Sequence, residues 1–225
     1  MGFGIKILVE GNYALFSRPE MKVERVSYDV PTPSALEGLI SGIYWHPGVR
    51  YVIDRIHVLK PIRFINIRRN EVSEKLLPSA VKKQMEGKEG DISIYTKECI
   101  SQRASLLLKD VRYGVEAHFE LTGEKDEEQT PEKCYNILLR RLRKGQHFNQ
   151  PYLGCREFSA RVTLTEQIPQ SPITGDVDLG YMLYDLQYKK DEDGNSLDSA
   201  EPRFYRPHMV NGVIDVAKYA GDLLC

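Results

Sequence analysis

The amino-acid sequence predicts an α+β fold, in which strands and two helices share one chain. The first observation is a helix with complete end signals, because Thr130 can cap it, Pro131 suits its first turn and Gly145 can end it. The second is a similar helix start at Thr32 and Pro33. The third is that the segments flanking both helices are rich in β-branched and aromatic residues, as strands are.

The first part of the chain is predicted to form a strand, a helix and a β-hairpin. Residues 5–16 have the composition of a strand, which Gly11 bends. In the helix that follows, the apolar residues recur at i, i+3, i+4 and i+7, namely Leu36, Leu39, Ile40 and Ile43. Two strand-like runs within residues 51–67 then meet near Lys60 and Pro61, which predicts the hairpin.

The second part of the chain repeats this order after a polar segment. Residues 70–99 are predicted to be an exposed insertion, and residues 101–121 two strands around a turn at Lys109 and Asp110. The capped helix and further strands follow. This order predicts a βαββαβ ferredoxin-like domain over residues 1–167, with an antiparallel β appendage over residues 168–225.

Composition and motifs exclude several classes of function. The chain has 225 residues, 31 basic and 32 acidic, and is 41% hydrophobic, which is typical of a globular protein. It has no apolar run near the roughly 18 residues of a membrane span and no secretion signal at its start, so we expect a cytoplasmic location and no membrane partner. The four cysteines and five histidines have no metal-ligand spacing, and no nucleotide-binding motif is present. We therefore expect neither a metal site nor a cofactor.

Charge is segregated along the chain although the net charge is −1. Residues 55–69 carry five basic side chains and no acidic one, and residues 120–132 hold six acids against Lys125. Residues 133–161 hold seven basic residues against Glu157. Blocks of one sign are typical of a face that binds a polyanion, although charge alone describes solvated faces equally well.

The capped helix at residues 131–144 concentrates the positive charge on one side. Its apolar side holds Cys134, Tyr135, Leu138, Leu139 and Leu142. Its opposite side holds Lys133, Asn136, Arg140 and Lys144, with Arg141 and Arg143 on the flanks. Cations near the end of a helix favour its dipole, but Lys133 lies in the first turn, where the dipole disfavours it.

Four short segments, taken in their order and spacing, resemble a known family. They are GNYALF at residues 11–16, SYDVPT at 27–32, YWHP at 44–47 and KGQHFNQPYLGCREF at 144–158. Together they resemble the type I-C CRISPR-associated Cas-five family of the RAMP superfamily. The resemblance covers residues 10–65 and 112–160, while the insertion and the tail match loosely.

The resemblance implies a ferredoxin-like, RRM-like domain that binds the repeat hairpin of precursor CRISPR RNA. It also implies cleavage without a metal ion, in which the ribose 2′-hydroxyl attacks the adjacent phosphate and leaves a 2′,3′-cyclic phosphate. The product would stay bound at its 5′ handle within a type I-C Cascade complex, whose other subunits are the implied partners. The positive charge also permits non-specific contact with duplex DNA.

The resemblance assigns catalytic roles to Tyr44 and Lys133. Cys134 stands where the family has a histidine, which puts the proton-transfer step in doubt, and His147 is the nearby candidate for the missing imidazole. Each residue also has a structural alternative. The alternative for Tyr44 is a helix-edge aromatic in the core, and the alternative for Lys133 is a solvated side chain at the helix end. A cysteine such as Cys134 is more often a buried helix residue, and a loop histidine such as His147 is usually just exposed.

The candidate RNA-binding residues comprise the basic helix residues, the loop glycines and three further side chains. They are Arg140, Arg141, Arg143, Lys144, Gly145, Gly154, Arg156, Trp45 and Arg68. Two other functions remain open. One is a non-cleaving subunit that caps the 5′ handle, which Cys134 favours, and the other is a generic ligand-binding protein of the same fold.

Overall fold

The computed structural model describes residues 3–21, 23–88, 92–122, 130–190 and 196–224, and Cys225 lies outside them. In chain order the elements are β1 (Ile5–Ala14), β2 (Arg25–Val26), α1 (Pro33–Ile43), β3 (Val49–Val58), β4 (Phe64–Val72), α2 (Pro78–Met85), β5 (Ile100–Leu121), α3 (Pro131–Lys144), β6 (Arg161–Leu164), β7 (Asp176–Asp178), β8 (Met182–Lys190), β9 (Ser196–Tyr205), β10 (His208–Val210), β11 (Val213–Asp215) and a final 3-10 turn (Val216–Tyr219).

Nine of the described strands form one sheet around β5. The path of the sheet runs β6-β1-β5-β3-β11-β10-β7, and β2 and β4 also pair with β5. Every pairing is antiparallel except that of β2 with β5, and β8 and β9 form a separate antiparallel pair. This architecture confirms the predicted α+β class, dominated by an antiparallel sheet.

The helices α1 and α3 complete the core, and both predicted caps are present. The Thr32 hydroxyl accepts from the N–H of Ala35 at 3.2 Å, and the Thr130 hydroxyl accepts from the N–H of Lys133 at 3.3 Å. Gly145 ends α3 with φ of 63°. The helices bury Leu36, Leu39, Ile40, Ile43, Cys134, Leu138 and Leu142 in one apolar core with β1, β3 and β5.

The predicted hairpin between residues 51 and 67 is wrong, although both of its strands exist. β3 pairs with residues 113–121 of β5, whereas β4 pairs with residues 100–108. A strand of 22 residues has room for both partners along its length. The chain segment around Lys60 and Pro61 therefore leads from one part of β5 to another instead of reversing the chain on itself.

The predicted turn at Lys109 and Asp110 is also wrong, because β5 continues through it. Asp110 takes a φ of 56° within the strand, and its carboxylate binds Lys60 at 2.6 Å and Arg63 at 3.1 Å. Pairing with β1 continues on both sides, from Tyr13 with Lys109 to Gly11 with Val111. The polar pair marks a local irregularity, held by ion pairs, in a continuous strand.

The remaining segments surround this central unit. Within the 70–99 segment, α2 has no buried residue, and residues 89–91 lie outside the described part of the chain. The ring of Tyr205 on β9 contacts that of Tyr184 on β8 and that of Tyr219 in the final 3-10 turn, both edge-on. Among the described residues, no helix is both long and apolar enough to cross a membrane.

Candidate nucleic-acid interface

A groove of about 690 Å³ lies between the surface of α1 and the loop of residues 146–156. Backbone hydrogen bonds hold the loop to α1, because Phe148 and Asn149 donate their N–H groups to the carbonyl of Gly42 at 3.0 and 2.8 Å. Two large aromatic side chains that line the groove are exposed to solvent: Trp45 is 62% exposed and Phe148 is 77% exposed. The other lining residues are Gly38, Ser41, Gly42, Arg141, Asn149, Gln150, Tyr152 and Arg156.

The far end of this loop needs a glycine. Gly154 has a φ of 82°, and a Cβ atom there would lie 2.0 Å from the carbonyl oxygen of Leu15. The N–H of Leu15 in turn donates to the carbonyl of Leu153 at 3.1 Å. Close backbone contact with the end of β1 therefore fixes one end of the loop, while the contact with Gly42 fixes its middle.

Arg141 connects α3 to α1 at the groove wall. Its Nη1 donates to the carbonyl of Ile43 at 2.6 Å, and its guanidinium carbon lies 5.3 Å from the centre of the Tyr44 ring. The same side chain lines a second cavity of about 300 Å³, which His147 also lines. Arg141 thus contacts the helix end that carries Tyr44 and borders both cavities.

Tyr44 and Cys134 meet beneath this surface. Tyr44 is 6% exposed and Cys134 is 1% exposed. Burial raises the pKa of Tyr44 to about 12. The hydrogen bond and the electrostatic interaction with Cys134 also raise this pKa, whereas the positive charge of Arg141 lowers it. The phenol is therefore protonated at neutral pH and suited to donating a hydrogen bond, not to accepting a proton.

Lys133 and His147 are placed differently from this buried pair. Lys133 is exposed in the first turn of α3, next in the chain to the buried Cys134. His147 is exposed in the loop, beyond the other end of α3. The structure brings Tyr44 and Cys134 together, and it places Lys133 in the first turn of α3 and His147 beyond the opposite end of that helix.

The candidate RNA-binding residues occupy two surfaces. Arg140, Arg143 and Lys144 are exposed on α3, while Arg141 is half-buried against α1. Trp45 and Arg156 line the groove.

Arg68 lies on the second surface, exposed on β4 and outside the lining of both cavities. The neighbouring Arg69 forms an ion pair with Glu157, just beyond the loop, and donates a hydrogen bond to the hydroxyl of Ser105 on β5 at 3.1 Å.

Sequence reasoning missed the groove floor on α1. Gly38, Ser41 and Gly42 recur at i, i+3 and i+4 on the side of α1 opposite its buried apolar stripe. Trp45, already a candidate from the sequence, follows the end of this helix. Small residues at helical spacing beside an exposed tryptophan were the signal available in the sequence.

The fold and this groove define an α+β protein with a basic, aromatic-lined site suited to a nucleic acid. The Cas5d family model, described as CRISPR-associated protein (Cas_Cas5), matches residues 4–217. The chain belongs to this family, which confirms the resemblance drawn from its motifs.

Two relatives agree with this assignment, and a solved structure shares the fold. A Mannheimia succiniciproducens protein named CRISPR pre-crRNA endoribonuclease Cas5d is 42% identical, over 97% of this chain and 96% of that protein. A Thermus thermophilus protein of the same name is 40% identical, over 83% of this chain and 75% of that protein. A crystal structure of a CRISPR-associated protein shares the fold with a TM-score of 0.66 at 24% identity, covering 94% of this chain and 90% of that one.

Proposed function

We propose that this chain is a metal-independent, sequence-specific endoribonuclease that cuts precursor CRISPR RNA at its repeat. It then holds the 5′ handle of the product within a type I-C Cascade complex. The observation that carries this proposal is the 42% identity, over 97% of the chain, with a relative named as a pre-crRNA endoribonuclease. The basic helix and the aromatic groove provide the surface that such a substrate requires.

The strand order supports a ferredoxin-like, RRM-like domain of the RAMP type. Taking only β1, β3, β5 and β6, the spatial order is β6-β1-β5-β3, with α1 following β1 and α3 following β5. This is the arrangement of a βαββαβ unit in which the last strand lies beside the first. We assign residues 1–167 to that domain and residues 168–225 to a β appendage, whose strand β11 continues the sheet from β3.

Self-cleavage of RNA by a 2′-hydroxyl needs three contributions. A base removes the hydroxyl proton, a cation offsets the charge that develops on the phosphorus, and an acid protonates the departing 5′-oxygen. None of these steps uses a metal ion. Side chains at the end of α1, on α3 and in the loop that follows α3 therefore have to provide all three.

We assign charge stabilisation to Lys133 and hydrogen bonding to Tyr44. An exposed ammonium in the first turn of α3 can approach a phosphate without the cost of leaving the core. The raised pKa of Tyr44 favours the neutral phenol, so Tyr44 orients the reacting ribose or protonates an oxygen and does not act as the base. Because Tyr44 is 6% exposed, contact with RNA requires its ring to move outward.

Proton transfer falls to Cys134 or His147. The thiol of Cys134 is 1% exposed and contacts Tyr44, so it acts through that phenol. His147 is exposed and lines the cavity that it shares with Arg141. Imidazole is the side chain that ordinarily exchanges protons near neutral pH. His147 lies at the opposite end of α3 from Lys133, so it replaces the histidine of the family only if RNA binding brings its ring to the linkage that Lys133 contacts.

The remaining candidates bind RNA. Arg140, Arg143 and Lys144 contact phosphates, and Gly145 leaves space for the RNA backbone at the end of α3. Gly154 contributes by holding the loop against Leu15. Within the groove, Arg141 and Arg156 contribute charge and Trp45 contributes a stacking surface. Arg68 extends the basic surface to β4. The same charges permit non-specific contact with duplex DNA.

A second function has a specific observation in its favour. The buried position of Cys134 and the raised pKa of Tyr44 both weaken proton transfer at the site. They favour a subunit that binds the 5′ handle without cutting RNA. In that case another protein supplies the cleavage, and the groove serves binding alone.

One experiment separates the two functions. The purified protein is incubated in EDTA with labelled repeat RNA, beside the same RNA with a 2′-deoxyribose at the scissile position. Cutting of the first substrate alone is the expected result. Tight binding of both substrates without cutting supports the capping subunit, and absence of binding at low salt excludes both.

A further inference from the structure

We propose that the groove between α1 and the 146–156 loop is a subsite for one unpaired nucleobase, which stacks on Trp45 and Phe148. This proposal rests on the proposed function, because it assumes an RNA substrate. It adds a requirement that the family assignment does not contain: the repeat must present an unpaired base beside the surface of α3. Recognition would then combine a phosphate-binding helix with a base-binding groove.

The exposure of the aromatic residues is the first argument. Trp45 is 62% exposed and Phe148 is 77% exposed, although both line the same concave surface. Leaving two large rings in water gives up the free energy that their burial would contribute to folding. Rings exposed together in a groove are suited to stack a flat ligand, and unpaired bases are the flat ligands of RNA-binding proteins.

The floor of the groove is the second argument. Gly38 lies in the interior of α1, where glycine costs about 1 kcal/mol relative to alanine. A Cβ atom at Gly38 would have no other atom within 4 Å, so packing within the protein does not require glycine there. Because Gly38 has no side chain, this part of the groove lining stays open for a flat ligand.

Size and charge select an unpaired nucleotide. A groove of about 690 Å³ falls in the range of about 300–1,000 Å³ that is typical of small-molecule sites. A groove of this size accepts a single nucleotide. A duplex does not fit, because its bases are stacked inside the helix and cannot stack on protein side chains. Arg141 and Arg156 line the same groove and supply positive charge for the attached phosphate.

Arg141 links this subsite to the candidate active site. It lines the groove, lies 5.3 Å from the Tyr44 ring centre and donates to the carbonyl of Ile43. A phosphate held by Arg141 would therefore lie beside the helix end that carries Tyr44. The bound base would position the neighbouring sugar for reaction, so the subsite acts in cleavage as well as in affinity.

The test uses a property of the sequence, since Trp45 is the only tryptophan in the chain. Its fluorescence is followed while the full-length protein is titrated with a single-stranded RNA hexamer, a blunt-ended RNA duplex or inorganic phosphate. We expect the hexamer to quench the fluorescence and the other two ligands to leave it unchanged. Equal quenching by the blunt duplex, or hexamer binding detected by anisotropy without quenching, would overturn the proposal.

Matched variants complete the test. Phe148→Ala should weaken hexamer binding about five- to 150-fold, because base–aromatic stacking contributes about 1–3 kcal/mol per base. Tyr188→Ala removes a ring that is 56% exposed on β8, outside the groove, and should not change hexamer binding. Both rings are at the surface, so neither variant should disturb the fold.

The subsite and the proposed function can fail separately. If Trp45→Ala and Phe148→Ala bind and cut repeat RNA as the wild type does, the subsite is refuted and the nuclease stands. If the wild type never cuts repeat RNA but the hexamer still quenches Trp45, the nuclease is refuted and the subsite stands.

Discussion

Arg141 is the residue whose replacement tests the architecture of the site most fully. Its guanidinium donates to the carbonyl of Ile43 at 2.6 Å and lies over the Tyr44 ring at 5.3 Å. A hydrogen bond from a charged donor contributes about 1.5–3 kcal/mol. A cation–π contact adds about 0.5–2 kcal/mol, depending on its exposure. Because the two contacts share one side chain, we expect Arg141→Ala to lower the free energy of unfolding by about 2–4 kcal/mol.

The neighbouring Arg140 provides the matched control. It is exposed on α3, so Arg140→Ala should change the free energy of unfolding by less than about 0.5 kcal/mol. Thermal unfolding measures the difference, and a loss of 2–4 kcal/mol corresponds to a fall in Tm of about 5–15 °C for a chain of this size. Should the two variants unfold within about 2 °C of each other, Arg141 does not hold α3 to the end of α1.

Three further predictions concern the loop, the phenol and the chemistry. Gly154→Ala should destabilise the protein by at least about 2 kcal/mol, because the new Cβ would lie 2.0 Å from the carbonyl oxygen of Leu15. In Gly145→Ala the new Cβ meets open space, so the positive φ alone should cost about 1 kcal/mol. Denaturant unfolding of both variants measures the difference. The pKa of Tyr44 is raised above its usual 10.0 to about 12, so its contribution to stability should be complete below pH 10 and lost as the pH rises to 12. Unfolding free energies of the wild type and Tyr44→Phe across that range should converge, and a constant difference would contradict the raised pKa. Lys133→Ala should lower the single-turnover cleavage rate far more than RNA affinity, and Arg140→Ala should do the reverse; normal cleavage by Lys133→Ala would remove Lys133 from the mechanism.

Local signals in the sequence were sufficient for the helices. Thr32 and Thr130 each stand before a proline and an apolar stripe, and both hydroxyls accept the predicted capping bonds. These bonds join residues three positions apart, so the sequence contains both partners. Gly145 ended α3 as predicted, in the left-handed conformation that glycine adopts most easily.

Strand pairing depended on contacts that are distant in sequence. Nothing near residue 60 indicates that β3 and β4 both pair with β5, which begins forty residues later. Lys109 and Asp110 were predicted to form a turn, but Asp110 takes a positive φ within a continuous strand, where Lys60 and Arg63 bind its carboxylate. In both places, the partner that decides the structure is remote from the pattern.

The site could be predicted only in part, because its groove also depends on contacts between residues that are distant in sequence. The basic residues of α3 could be identified because helical periodicity separates exposed from buried positions. Trp45 could be identified because it is an aromatic residue within the YWHP motif. The groove itself required knowing that Phe148 and Asn149 dock on Gly42, which is a contact across a hundred residues. The raised pKa of Tyr44 required knowing its burial and its contact with Cys134, and neither is visible in the motif.

The chemical ends of the RNA fragments test the central claim most directly. Repeat RNA is incubated with the wild-type protein in EDTA, and the products are analysed by mass spectrometry. Attack by the 2′-hydroxyl predicts a 2′,3′-cyclic phosphate on the upstream fragment and a 5′-hydroxyl on the downstream fragment. A 3′-hydroxyl with a 5′-phosphate would show that water is the nucleophile and would contradict the mechanism proposed for Tyr44 and Lys133.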